Sequence, residues 1–194
     1  MSYPNTRVTS DYLGEIARLV SGISPAQVTA ISDLFWDNYS RGARLLLCGN
    51  GGSGTTASHL ATDFQKNVLL AGHRPWEVLA LTDSMPLVTA WANDTEYSNI
   101  FAGQARCWVR PGDLLVAISG SGNSPNVLRA VETARELGAT TVGWTGFGGG
   151  KLAKMVDHGI VVDAHQMQQV EDIHLMLGHM VYCEIIARIA ALKG

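Results

Sequence analysis

The sequence predicts an α/β fold, a three-layer α-β-α sandwich in which helices cover both faces of a five-stranded, parallel, doubly wound sheet. Three observations lead there. Five short apolar runs alternate with segments of helical period. Two Gly/Ser-rich loops each follow such a run and open a helix, at the sheet edge where parallel sheets bind ligands. The 194 residues, 46% hydrophobic and 16% charged, suit one globular domain with a substantial core.

Taken in order, residues 8–22 and 25–41 carry apolar residues at helical spacing (Leu13, Ile16, Leu19, Val20; Val28, Ile31, Leu34, Phe35). Ser24-Pro25 opens the second of these helices as N-cap and first-turn proline. The period then changes. Runs at 43–48, 77–81, 113–118, 140–145 and 159–162 read as buried strands, with helices at 54–66, 86–92, 96–107, 124–138 and 168–191 between and after them. No repeat or low-complexity linker interrupts the chain, so one domain is expected over 1–194, with a helical N-terminal arm over about 1–41. The apolar terminal helices and the low charge fraction suggest packing between copies of the chain.

A formal net charge of -3 offers no global basic field, which argues against nucleic acid as a partner. The sequence has no run of 18 apolar residues and no charged-then-apolar leader, so neither membrane contact nor export is expected and the cytoplasm is the expected location. Cys48, Cys107 and Cys183 are widely spaced in apolar neighbourhoods and are expected as buried free thiols.

After the first strand comes Gly49-Asn50-Gly51-Gly52-Ser53-Gly54, and after the third comes Ser119-Gly120-Ser121-Gly122-Asn123-Ser124-Pro125. Glycines let backbone N–H groups crowd round an anion, the following helix adds its dipole, and the serines add hydroxyl donors. Two such loops at one sheet edge form a phosphate site; tight turns without a ligand are the alternative. The first loop also matches G-x-G-x-x-G. A dinucleotide site, however, wants an acidic residue about 20 residues on. Asp83 lies about 29 residues beyond Gly54, and a dinucleotide leaves the second loop without a role. A nucleotide P-loop fails because Gly150-Lys151 is followed by Leu152.

His59 and Asp63 stand at i and i+4 on one helix face beside the first loop, as an acid–base or metal pair or as a surface salt bridge. Glu171, His174 and His179 lie on the last helix among Val170, Ile173, Leu175, Leu177 and Val181, where a histidine is either a hydrogen-bonded core residue or a ligand. Eight helical residues span about 12 Å, so Glu171 and His179 share one metal only by leaning together or with help from a neighbouring subunit. His73, His158 and His165 fall in connecting segments and receive no role.

GNGGS after one strand and S-x-SGNSPNVLRA after a later one resemble the sugar isomerase (SIS) domain. With ANDTEYSNIF at 92–101, RPGDLL at 110–115, GGKLA at 149–153 and VEDIHLMLGH at 170–179, the chain resembles the phosphoheptose isomerases from about residue 8 to 190. The resemblance implies the SIS fold, a homotetramer with interfacial active sites, and conversion of sedoheptulose 7-phosphate to D-glycero-D-manno-heptose 7-phosphate through an enediol(ate). It places the phosphate on Ser53, Ser119, Ser121 and Ser124 within the loops that carry Gly51, Gly52 and Gly120, and the sugar on Asn50 and Asp94. It makes Asp63 the base and His179 the acid, with His59, Asp63, Glu171 and His179 as zinc ligands and Glu171 also facing the substrate. No organic cofactor is implied. Two positions depart from the family pattern, Asp63 for Glu and Glu171 for Gln, the first shortening the base and the second adding a charge. Those departures favour one rival, a non-catalytic interaction protein like the DnaA initiator-associating relatives, against which the retained His59 and His179 count. Isomerisation of a different sugar phosphate is a second alternative, because the pocket walls set the chain length accepted. A sugar-phosphate sensor on the same fold is a third.

Overall fold

The computed structural model describes residues 8–70 and 72–192. In chain order, α1 (Val8–Ser21) and α2 (Pro25–Arg41) precede β1 (Leu45–Gly49), α3 (Gly51–Leu70), β2 (Val78–Ala80), α4 (Met85–Asp94) and α5 (Ala102–Trp108). Then follow β3 (Leu114–Ser119), α6 (Pro125–Glu136), β4 (Thr140–Thr145), α7 (Leu152–Met155), β5 (His158–Val161) and α8 (Met167–Ala191).

The strands lie in the order β2-β1-β3-β4-β5, every neighbouring pair parallel. The chain therefore leaves β1 toward one side for β2 and returns to the other side as β3. That reversal opens a crevice at the carboxyl ends of β1 and β3, where loops diverge onto opposite faces. Gly49 pairs in register with Ile118, so both Gly/Ser-rich loops start at the same height.

Alternation along the strands splits the core in two. Leu45, Leu47, Leu114, Val116, Val142 and Trp144 face Val28 and Ile31 of α2, Leu60 and Phe64 of α3, and Ile173 and Leu177 of α8. Leu46, Cys48, Leu115 and Ala117 face Ala105 of α5, Val127 and Val131 of α6, and Leu152 of α7. Helix α2 is bounded as its sequence requires: Ser24 Oγ accepts the N–H of Gln27, Pro25 takes the first turn, and Gly42 closes it at φ 73°. Helix α8 is long and apolar enough to cross a membrane by length and composition. Here Val170, Ile173, Leu177, Val181, Ile185 and Ile189 form a stripe buried in the sheet-facing core with α2 and α3.

The expected strands all form, and the helices differ in informative ways. Helix α3 begins at Gly51 rather than 54, so Gly51, Gly52 and Ser53 are its first turn and not a free loop. The helix expected over 96–107 divides into a 3-10 turn (Tyr97–Asn99) and α5, with Ile100 and Phe101 fully buried between them. Helix α7, four residues long, is too short to leave a period in the sequence. His158, expected in a connection, is the first residue of β5. All three cysteines are free, but only Cys48 is buried, which pushes its thiol up to about 12. Cys107 and Cys183 are exposed, because α5 and α8 turn those positions to solvent.

Candidate active site

A cleft of about 220 Å³ opens between the carboxyl ends of β1 and β3. Asn50, Gly51, Gly52 and Ser53 line one side; Ser119, Gly120, Ser121 and Ser124 line the other. The first N–H groups of α3 lack intrahelical partners by helix geometry and carry the positive end of its dipole. Across the cleft, Ser119 Oγ and Ser124 Oγ stand 3.2 Å apart. Ser124 is the N-cap of α6 and its side chain bonds no N–H of that helix, which leaves its hydroxyl to the cleft. All eight are residues expected to hold the substrate, and the fold brings them together.

The second loop is braced from behind by the turn after β4. Gly146 N–H donates to the Gly120 carbonyl at 2.8 Å, Leu152 N–H to that of Gly122 at 2.9 Å, and Lys151 N–H to Asn123 Oδ1 at 3.1 Å. Gly122 sits at φ +64°, and a side chain there would collide with the Gly149 carbonyl. Glycine meets both constraints at once.

The two loops are also joined. Asn126 Nδ2 donates to Asn50 Oδ1 at 2.7 Å, and Asn50 Nδ2 donates to Asn126 Oδ1 at 2.9 Å. Tyr97 adds its hydroxyl to Asn50 Oδ1 at 3.1 Å. Neither Asn126 nor Tyr97 is singled out by the sequence, since Asn126 reads as an ordinary helix residue and its partner is 76 positions away. Asn50 also lines an adjoining hollow of about 310 Å³ that Ser58, Thr82, Met85 and Tyr97 enclose.

Helices α3 and α8 run side by side in the same direction, which decides where the remaining residues fall. Glu171 lies over Gly52, so closely that a β-carbon at 52 would collide with its carboxylate. Eight or so residues further on, Gly178 meets Leu60 and His179 meets His59. His59 Nε2 is 2.9 Å from His179 Nε2 and 3.2 Å from Asp63 Oδ2, and His179 Nε2 is 3.9 Å from that oxygen. These three donor atoms lie within 4.8 Å of one another, close enough to hold one metal ion. Two imidazole nitrogens and a carboxylate oxygen are the donor types that zinc takes in catalytic sites, where three protein ligands leave a position open. Glu171 stands apart from this cluster and lines the cleft. The cluster lies about 12–18 Å along α3 from Gly51, by helical rise.

Asp94 ends α4 on the surface, where it accepts from Asn93 Nδ2 at 2.9 Å; it lines neither the cleft nor the adjoining hollow. His174 is a core residue, fully buried beside the Trp144 ring. Burial pushes its pKa down to about 4, opposed by the Thr145 backbone. Neither of its nitrogens completes a hydrogen bond with a described residue.

Residues 11–146 match the family described as SIS domain. A phosphoheptose isomerase from Nitratidesulfovibrio vulgaris (strain DSM 19637 / Miyazaki F) is 42% identical over 146 residues, which cover 75% of this chain and 69% of that one. Among solved structures, phosphoheptose isomerase GmhA from Neisseria gonorrhoeae superposes with a TM-score of 0.86 at 29% identity, covering 92% of this chain and 97% of that one. A phosphoheptose isomerase from Francisella tularensis gives the same TM-score at 26% identity, with 91% and 95% covered.

Proposed function

Because the chain belongs to the SIS domain family, among the phosphoheptose isomerases, we propose that it converts sedoheptulose 7-phosphate to D-glycero-D-manno-heptose 7-phosphate. It is thus an aldose–ketose isomerase acting on a phosphorylated sugar. The observation that carries the reading is the cleft itself, two anion-binding helix starts and two facing hydroxyls at the switch point of a parallel sheet.

Ser53, Ser119, Ser121 and Ser124, with the N–H groups of the α3 first turn, hold the phosphate, and that remote binding energy orients the reacting carbons. Asn50 contacts the sugar, and Asp94 reaches it if α4 shifts from its present place. The Asp63 carboxylate takes the proton from the carbon beside the carbonyl, giving a cis-enediol(ate), and returns it to the neighbouring carbon. His179 Nε2 moves a proton onto or off the sugar oxygens. Zinc would be held by His59, Asp63 and His179, with Glu171 added only by a rearrangement of its side chain, and would supply a Lewis acid for the carbonyl oxygen. Glu171 in its present position lines the cleft instead, which supports a contact with the substrate.

The separation along α3 between cleft and cluster supports a site completed by a neighbouring subunit, hence a homo-oligomer, in family terms a tetramer. Leu13 on α1 is 62% exposed and Met176 on α8 is 36% exposed, apolar surface that such packing would cover. The location read for the protein is the cytoplasm, with no nucleic-acid or membrane partner.

The test is direct. Purified protein, with and without added zinc, is incubated with sedoheptulose 7-phosphate while NMR follows the aldose signal. Turnover that disappears in Asp63→Asn and His179→Ala supports the reading and both roles. Binding without turnover would transfer the protein to another sugar phosphate or to the non-catalytic alternative, and no binding would remove the phosphate site.

A further inference from the structure

We propose that Asn126 is a positioning residue that fixes the side-chain amide of Asn50, so that the cleft meets a single N–H donor at that point. The proposal rests on the cleft being a sugar-phosphate site.

Asn126 is the second residue of α6 and is 1% exposed. A buried amide without partners is costly, so the bonds it makes are obligatory and not incidental. Its orientation is set by the main chain: Val127 N–H can only donate, and it donates to Asn126 Oδ1 at 3.0 Å. With that oxygen identified, Asn126 Nδ2 must be the group facing Asn50 at 2.7 Å. Asn50 is thereby oriented as well, with Oδ1 toward Asn126 Nδ2 and Nδ2 toward Asn126 Oδ1.

The donor and acceptor capacities then decide what Asn50 offers a ligand. Asn50 Oδ1 accepts from Asn126 and from the Tyr97 hydroxyl, which uses both its lone pairs. One of the two Nδ2 hydrogens is used on Asn126. The remaining one is all that Asn50 can present, and it suits a phosphate or sugar oxygen that accepts. Asn50 lines both the cleft and the adjoining hollow, so this donor stands where phosphate and sugar meet. Without Asn126 only the Tyr97 hydroxyl would hold the amide, and a turned amide would present its oxygen, which repels a phosphate oxygen.

A purely structural role, securing the first turn of α6 through the Val127 N–H, would also weaken binding when removed. A double-mutant cycle separates the two. Binding of sedoheptulose 7-phosphate is measured by calorimetry on the full chain for the wild type, Asn50→Ala, Asn126→Ala and the double variant. If Asn126 acts through Asn50, Asn126→Ala weakens binding roughly tenfold, the scale of one hydrogen bond to a charged ligand, and has less than about a twofold effect once Asn50 is already alanine. Equal weakening in both backgrounds overturns the proposal, as does unaltered binding in Asn126→Ala. Should Asn126→Ala fold too poorly to titrate, Tyr97→Phe at an exposed position is read by the same rule, with about a threefold effect expected only where Asn50 is present. A wild type that binds no sugar phosphate would instead overturn the functional reading, and this proposal with it.

Discussion

Gly178 of α8 meets Leu60 of α3 with no side chain between the two backbones on the α8 side: a β-carbon at 178 would stand 2.5 Å from Leu60 Cδ2. Leu60 is fully buried, so moving its side chain aside would displace its core neighbours. This close approach brings the next residue, His179, within 2.9 Å of His59, the residue before Leu60. Gly178→Ala is therefore expected to cost about 1–3 kcal/mol through overpacking, and to lower turnover further by parting the two imidazoles. Gly14→Ala is the control, since nothing lies within 4 Å of a β-carbon there. In the interior of α1 it should gain up to about 1 kcal/mol in helix propensity with turnover unaltered. Thermal unfolding and the NMR assay read both; a Gly178→Ala protein as stable and active as wild type would refute the packing argument.

Glu171 places a carboxylate over the first turn of α3, in the cleft read as the phosphate site. A negative charge there opposes a phosphate near the same N–H groups, by about 1 kcal/mol at 4 Å in water and more where solvent is excluded. Glu171→Gln keeps the shape and removes the charge. Binding of inorganic phosphate and of the sugar phosphate should tighten about five- to tenfold, with the gain shrinking as salt is added. Weaker binding in calorimetry would mean that Glu171 assists the ligand, through a metal or through its own hydrogen bonds.

Ser119 Oγ and Ser124 Oγ face each other across 3.2 Å at the rim of α6. Each hydroxyl can turn its proton to an anion, and loss of a hydrogen bond to a charged group costs roughly 1.5–3 kcal/mol. Ser119→Ala and Ser124→Ala should each weaken phosphate binding about ten- to a hundredfold while the urea midpoint stays near that of wild type. Full-strength phosphate binding in both variants would move the anion elsewhere.

The sheet and the Gly/Ser-lined cleft were legible because their signals are local. Apolar runs bounded by Gly49 and Ser119 show where strands end, and the Ser/Gly residues that follow need no distant partner to declare their chemistry. The start of α3 was less so: glycines read as a loop, yet Gly51 and Gly52 sit in a first helical turn, whose N–H groups have no intrahelical partner. Relations between distant elements were legible only in outline. The roughly 12 Å helical span between Glu171 and His179 signals that the two cannot easily share a metal, and in the structure Glu171 lies over the first turn of α3 while His179 meets His59 near the middle of that helix. The pairing of Asn126 with Asn50 left no trace in the sequence, because it exists only once the two loops are folded together. The exposure of Cys107 and Cys183 depends on which helix face meets the core, and a cysteine between apolar neighbours does not report that.

His174 gives the fold an acid weakness that is independent of the cleft. An unfolded histidine titrates near 6.5. In the folded chain, burial against Trp144 lowers the value to about 4, despite the opposing pull of the Thr145 backbone. Between those two values the unfolded chain binds a proton that the folded chain refuses, so stability present above pH 6.5 is lost as the pH falls toward 4. The linkage amounts to about 2.5 kcal/mol at pH 4.5. His174→Leu removes the titration and keeps an apolar side chain of similar volume among Trp144 and its neighbours. Carboxylates elsewhere also titrate in acid, but they do so in both proteins and cancel in the comparison. Urea unfolding from pH 8 to 4.5 should therefore show the wild type losing about 2.5 kcal/mol more than the variant. Parallel losses in the two proteins would mean that His174 takes up its proton in the folded state, with an internal water or a shift of Thr145 supplying the partner that its nitrogens lack.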